Sequence, residues 1–197
     1  DLSLTGASNK LLDGRSLEPR GNTLWNGTAR FGASNGAVWT NTASGVVDVQ
    51  ADEDLEWWSG ALQPVFNNAG VFRKSRGDAA SSTIVGALFN NTGSTQLNAG
   101  NLNLVGGGTS SGSFNAAAGT VLSFSGGNHT LTNSATLTGS GIKRFAGGSS
   151  TIEFNTLITG VTEITGGTTS FNANTSLDNL NQSGGTLTGT GSITATN

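Results

Sequence analysis

The chain has no cysteine, no methionine and no tyrosine, and only two of its 197 residues are proline. Without cysteine there is no disulfide framework, so stability has to come from packing and hydrogen bonds. Charge is scarce as well, with nine Lys and Arg against twelve Asp and Glu and a net charge of −3. The basic residues are scattered apart from "RKSR" at 73–76, which argues against a phosphate-neutralising face and against nucleic acid as a partner. No apolar run approaches the roughly 18 residues of a transmembrane helix. The first 30 residues lack the charged, apolar and small-residue zones of a signal peptide. The chain opens at Asp1 and stops inside the strand-like "SITATN", which reads as a mature product or a piece of a longer polypeptide.

What fills the chain is Gly (31), Thr (27), Ser (23) and Asn (21), about half of all residues. Such a composition fits a disordered segment, but the apolar pattern does not. "TVLSFS", "HTLTNSATLTG", "STIEFN" and "GVTEIT" place an apolar residue at every second or third position between Gly, Ser and Asn. Alternation of this kind puts Leu131, Leu137, Ile152, Phe154, Val161 and Ile164 on one side of extended segments. No stretch of similar length carries a helical i, i+3, i+4, i+7 stripe.

Two phrases recur. "FNNAGVF" at Phe66 returns as "FNNTGSTQL" at Phe89 and more loosely as "FNAAAGTVL" at Phe114, with "VWTNTASGVVDV" preceding them, so the aromatic starts at 39, 66, 89 and 114 lie 27, 23 and 25 residues apart. "FSGG", "FAGG", "ITGG" and "QSGG" begin at 124, 145, 164 and 182. Three short strands with their corners need roughly 18–27 residues, which is one coil of a parallel β-helix. A seven-stranded sandwich would call for hairpin turns and no phrase returning once per coil. A left-handed solenoid would keep a hexapeptide beat. The expected fold is therefore all-β, a right-handed parallel β-helix spanning 1–197 as one domain, with 1–36 less regular as a cap or first coils. Trp39, Phe66, Phe89 and Phe114 are expected to stack inside, with Asn67, Asn90 and Asn115 as a ladder at a bend.

These strings, with "GTVLSFSGGNHTLTNSATLTGSG" and "GTLTGTGSITATN", resemble the β-strand repeats of large bacterial extracellular proteins, the group that includes autotransporter passenger regions and filamentous-haemagglutinin-like adhesins. The resemblance covers residues 37–197. It implies an extracellular or cell-surface stalk, fibre or adhesive surface, and it brings no catalytic residue and no cofactor.

Chemistry concentrates in "DEDLEWW", where Asp52, Glu53, Asp54 and Glu56 stand beside Trp57 and Trp58. Indoles beside acids suit a glycan platform, grouped carboxylates suit calcium, and a carboxylate pair suits glycan cleavage. The plainer alternative is an indole plugging the solenoid while the acids lie in solvent. The lone His129, with no second His and no Cys, reads as a solvated turn residue. "TLT" at 130, 136 and 186 recurs at 6 and 50 residues, out of step with a coil and so not an ice-binding array. The segment 186–197 carries no charge and no Pro, so Thr186, Thr188, Ile193 and Thr194 form an expected self-association edge, meeting further repeats or the next copy head to tail. At the other end Pro19 and the charges of 10–20 look like edge protection. The functional expectation is a non-enzymatic extending or adhesive β-helix; the alternative is a glycan-binding or glycan-cleaving one centred on Asp52 to Trp58.

Overall fold

The computed structural model describes residues 1–155 and 157–196. Among these there is no helix, and the regular elements are short strands, most of them four residues long. Pairing is parallel throughout, and each strand bonds its equivalents one coil earlier and one coil later. The result is three sheets of seven, ten and nine strands wound into a β-solenoid of about nine coils. Residues 1–36 are regular coils: Leu2–Leu4, Lys10–Asp13 and Ser16–Leu17 supply the first strand of the first, second and third sheets, and Asn22–Trp25 and Phe31–Ser34 begin the next coil.

The coil shortens along the axis for a structural reason. Trp39 pairs with Phe66 in the early coils, whereas Thr168 pairs with Thr186 near the end. The first sheet ends at Thr136–Thr138. After it, single eight-residue strands, Leu157–Ile164 and Thr175–Gln182, run through the former corner with a bulge between Ile158 and Val161.

Side chains alternate in and out along each strand, so the interior is a set of axial ladders. In the third sheet Leu17, Trp39, Phe66 and Phe89 stand in register and point inward. The Phe66 and Phe89 rings are stacked at 5.5 Å and 1°. Phe114 belongs to the first sheet, opposite Thr95 and Leu137, and so is not the next member of this ladder. Its ring still meets Phe89 at 6.4 Å across the interior, and the aromatic contacts continue through Phe124 and Phe145 to Phe171. Val161 also departs from expectation. It faces outward, while Thr162 takes the inner position beside Lys143.

The doubled asparagine divides its labour by the same alternation. Asn67 and Asn90 lie on the outer side, where the Asn90 amide donates to Asn67 Oδ1 at 3.0 Å. The buried ladder is Asn41, Asn68 and Asn91, whose amides bond successively at 2.7 and 2.8 Å. Each of the three also donates to a first-sheet carbonyl one coil above the strand it leads into, Val71, Ser94 or Ser113. Asn115 lies in the first sheet and donates to Thr138 instead. The glycine after each pair is required because the corner passes against the coil beneath: a Cβ on Gly93 would strike the backbone of Ala69 and Gly70. The second recurring phrase marks the corner from the second to the third sheet. Phe124, Phe145 and Ile164 are in register, and the second glycine of each following pair, such as Gly148 at φ 63°, is left-handed and packed on the preceding coil.

The "TLT" triplets at 130 and 186 lie on the third sheet and the one at 136 on the first, and outward hydroxyls are in register on the third. Thr109, Thr130, Thr151, Ser170 and Thr188 form one column, assembled from dissimilar strings.

Phe89 touches three other rings and the paired strands around it cannot close a gap, so Phe89→Ala is expected to cost about 3–5 kcal/mol. Urea denaturation followed by circular dichroism checks this. An unchanged midpoint would refute the inner ladder.

Candidate functional site

The acid and tryptophan segment straddles the wall of the solenoid, and its residues do not form one site. Asp52 lies at the corner before the strand Leu55–Ser59 and accepts a hydrogen bond from Lys74 Nζ at 2.7 Å. Lys74 occupies an inner position of the first sheet, fully buried, in register between Val49 and Leu97. Its ammonium also donates to Ala51 O at 2.8 Å and Thr83 Oγ1 at 3.1 Å. Asp52 therefore serves as counter-ion to a cation inside the core. Asp54 accepts from the Ile84 N–H at 2.7 Å. Burial raises its carboxyl above the usual range, with this hydrogen bond acting in opposition. Glu53 is half-buried. Among the described residues no three His, Asp or Glu side chains converge on a metal position.

Glu56, Trp57 and Trp58 do come together, on the outer surface. The strand Leu55–Ser59 carries a bulge: Trp57 pairs with Ala33 but Ser59 pairs with Ser34, leaving Trp58 as the extra residue. Bulges re-aim side chains, and here both indoles leave the alternation. Trp57 is 44% exposed and Trp58 39%, so neither plugs the interior; the core tryptophans are Trp25 and Trp39. The Trp58 ring lies over Gly32, where a Cβ would run into it. Its Nε1–H donates to Glu56 Oε2 at 2.7 Å, and Arg30 pairs with Glu56 Oε1 at 2.8 Å. Trp57 Nε1–H donates to Ser59 O at 3.0 Å. Both ring N–H groups are thus satisfied internally and each indole keeps a fixed pose.

Beside Trp57 opens a cleft of about 590 Å³. Its floor is the corner backbone of successive coils at Gly86, Gly106 and Gly127, and Ile84 and Val105 form apolar walls. Gln63, from the enlarged connection after the bulge, donates its amide to the carbonyls of Gly86 and Gly106 at 3.2 and 2.9 Å and straps two coils together. Exposed Leu62 stands at the same connection. Neither the cleft nor the buried lysines is visible in the sequence. Strict alternation from Phe72 through Arg73 places Lys74 inward, and that is the one signal that could have found it.

Two further buried titratable groups are structural. His129 is not a solvated turn residue: it fills the third-sheet inner ladder, edge-on to Phe124 at 5.1 Å, with Nε2 3.2 Å from Leu104 O. Burial pushes it down to about 4, against the pull of its contacts with the Leu104 and Gly126 backbone. Lys143 is fully enclosed and donates to the carbonyls of Gly139 and Gly141 at 2.5 and 3.0 Å. Burial lowers it to about 8, with the Asp178 carboxylate acting in opposition.

The class defined by this architecture is the parallel β-solenoid. No protein-family model matches the chain, and no curated protein and no solved structure matches it significantly.

Asp52→Asn removes the charge opposite Lys74 while keeping the shape. It should cost about 2–3 kcal/mol, less than for a wholly buried pair because Asp52 keeps 36% of its side chain in solvent. An unaltered urea midpoint would show that Lys74 does not depend on Asp52.

His129 makes the fold acid-sensitive in a defined window. The unfolded imidazole takes up its proton near 6.5 and the folded one only near 4. The unfolded state therefore binds more protons between these values, and stability falls as pH drops from 6.5 to 4, by about 3 kcal/mol from this group. His129→Phe should flatten that part of the curve, since Leu104 O still accepts from the Ser125 N–H. Equal pH slopes in the two proteins would count against a neutral buried imidazole.

Proposed function

We propose that the chain forms a non-enzymatic, extracellular or cell-surface β-solenoid that extends and displays, and that its end coils stack on further coils. The observation that carries this is the form of the two ends. Partly buried Leu2, Leu12 and Leu17 at one end and Leu180, Leu187 and Ile193 at the other pack on the core and leave an apolar cross-section at each end. Beyond Thr186–Thr188 and Ile193–Ala195 the outer strand edges have no further strand among the described residues. Another coil, from the same polypeptide or a second copy, would cover both the apolar cross-section and the free backbone groups. Of the four edge residues, Thr186, Thr188 and Thr194 are exposed and Ile193 is half-buried against the core, so Leu187 and Ile193 carry the apolar part of the contact. At the opposite end, residues 10–13 and 16–17 are strands of the first coil. Their charges flank an edge of the same kind. The resemblance of the repeats to bacterial surface proteins points the same way.

Exposure of Trp57 and Trp58 favours a second role, contact with a glycan. It favours binding over cleavage, because Asp52, Asp54 and Glu56 are each engaged by a different intramolecular partner.

Stacking of this kind rests on backbone pairing and apolar burial, so self-association should persist in high salt, where contacts between surface charges are screened. Leu187→Lys with Ile193→Lys should give a monomer by light scattering. A wild-type chain that stays monomeric at every concentration would overturn the end-stacking proposal.

A further inference from the structure

We propose that the cleft beside Trp57 is a binding site for a neutral carbohydrate chain lying along the solenoid axis. The inference rests on the glycan-contact reading of the exposed indoles, which it deepens, and does not depend on end-to-end stacking. A pyranose has an apolar C–H face and a rim of hydroxyls, and it needs a flat aromatic surface flanked by hydrogen-bonding groups. Trp57 supplies the surface. Its N–H is committed to Ser59 O and the ring is nearly half exposed, so it offers a face held in place before any ligand arrives. Gln63 supplies a rim: both of its amide bonds run through Nε2, and Oε1 has no partner among the described residues. Glu56, which also lines the cleft, supplies carboxylate oxygens steadied by Arg30 and Trp58.

Charge and backbone select among ligand classes. Among the described residues Glu56 is the one titratable group lining the cleft, and the neighbouring cation, Arg30, is already paired with it. A nucleic acid or a sulfated or uronic polyanion would therefore meet a carboxylate and no unpaired counter-charge. An extended peptide binds by adding a strand to a straight, free sheet edge; Ser82–Val85 and Asn101–Leu104 are paired residue by residue with the coils after them, and Leu55–Ser59, which meets the next coil at Leu55 alone, is bent by its bulge. A neutral sugar needs neither a counter-charge nor an edge. The volume lies in the range of small-ligand sites. The glycine floor spans three successive coils, about 10 Å at strand spacing, which accommodates a short stretch of a longer chain. Because the bulge, the Gln63 strap and the paired coils are all formed in the free protein, binding requires little ordering of the site.

The test is isothermal titration of the full chain with cello-, chito-, xylo- and manno-oligosaccharides, with heparin as the polyanion. At least one neutral oligosaccharide should bind. Trp57→Ala should weaken it about tenfold or more, as expected for loss of a central aromatic anchor. Gln63→Ala should weaken it less, and Leu157→Ala, which removes an exposed apolar side chain elsewhere, should leave it unchanged. Melting of Trp57→Ala should match that of the wild type, because the ring is outside the core. Absence of binding to every neutral sugar, preference for heparin, or equal affinity in Trp57→Ala would overturn the proposal. Light scattering on the same samples reports separately on end stacking.

Discussion

Parallel pairing of each coil with the next is the constraint on which everything else rests. It holds equivalent residues about 4.8 Å apart, so a side chain is judged chiefly by what lies directly above and below it. Long ladders of similar residues follow. Phenylalanine on phenylalanine gives the stacked pair of Phe66 and Phe89, and asparagine on asparagine gives amides that satisfy one another in a dry interior. Neither Phe66 nor Asn68 would be well placed alone. A lone buried amide costs free energy, whereas a ladder of them forms hydrogen bonds at every step.

The same constraint admits charge to the interior when a corner supplies oxygens. Lys74 occupies an inner position between Val49 and Leu97 and Lys143 one between Leu122 and Thr162, and each reaches the corner between the first and second sheets. Lys74 finds a carbonyl, a hydroxyl and a carboxylate there; Lys143 finds carbonyls. Their four-carbon stems pack like the leucines they replace. Asp52 is consequently bound to the scaffold, and a carboxylate held in an ion pair is a poor candidate for acid–base chemistry. What remains free for recognition is the part of the segment that leaves the coil, beginning at the bulge.

That bulge separates scaffold from surface. Up to Leu55 the segment follows the alternation. After it, one extra residue and an enlarged corner carry Trp57, Trp58 and Gln63 outside. The insertion is local because the next strand, Val65–Asn68, returns to register with Val38–Asn41. Solenoids tolerate such excursions well, since only the strands need to match their neighbours.

By itself the sequence determined the all-β class, the coil length and the corner glycines, because these depend on local periodicity and on the φ angles glycine alone adopts readily. The returns of "FNN" and of the glycine pairs were both legible. Which sheet each repeat occupied was decided only by the tertiary structure: Phe114 resembles Phe89 in its phrase but lies on another wall, because coil lengths vary and a shift of a few residues moves a string round a corner. The inward aim of Lys74 and His129, and the outward aim of Trp57 and Trp58, were likewise settled by neighbours one coil away. A residue's exposure in a solenoid depends on the strand it pairs with, some 18 to 27 positions distant, and a single bulge reverses it.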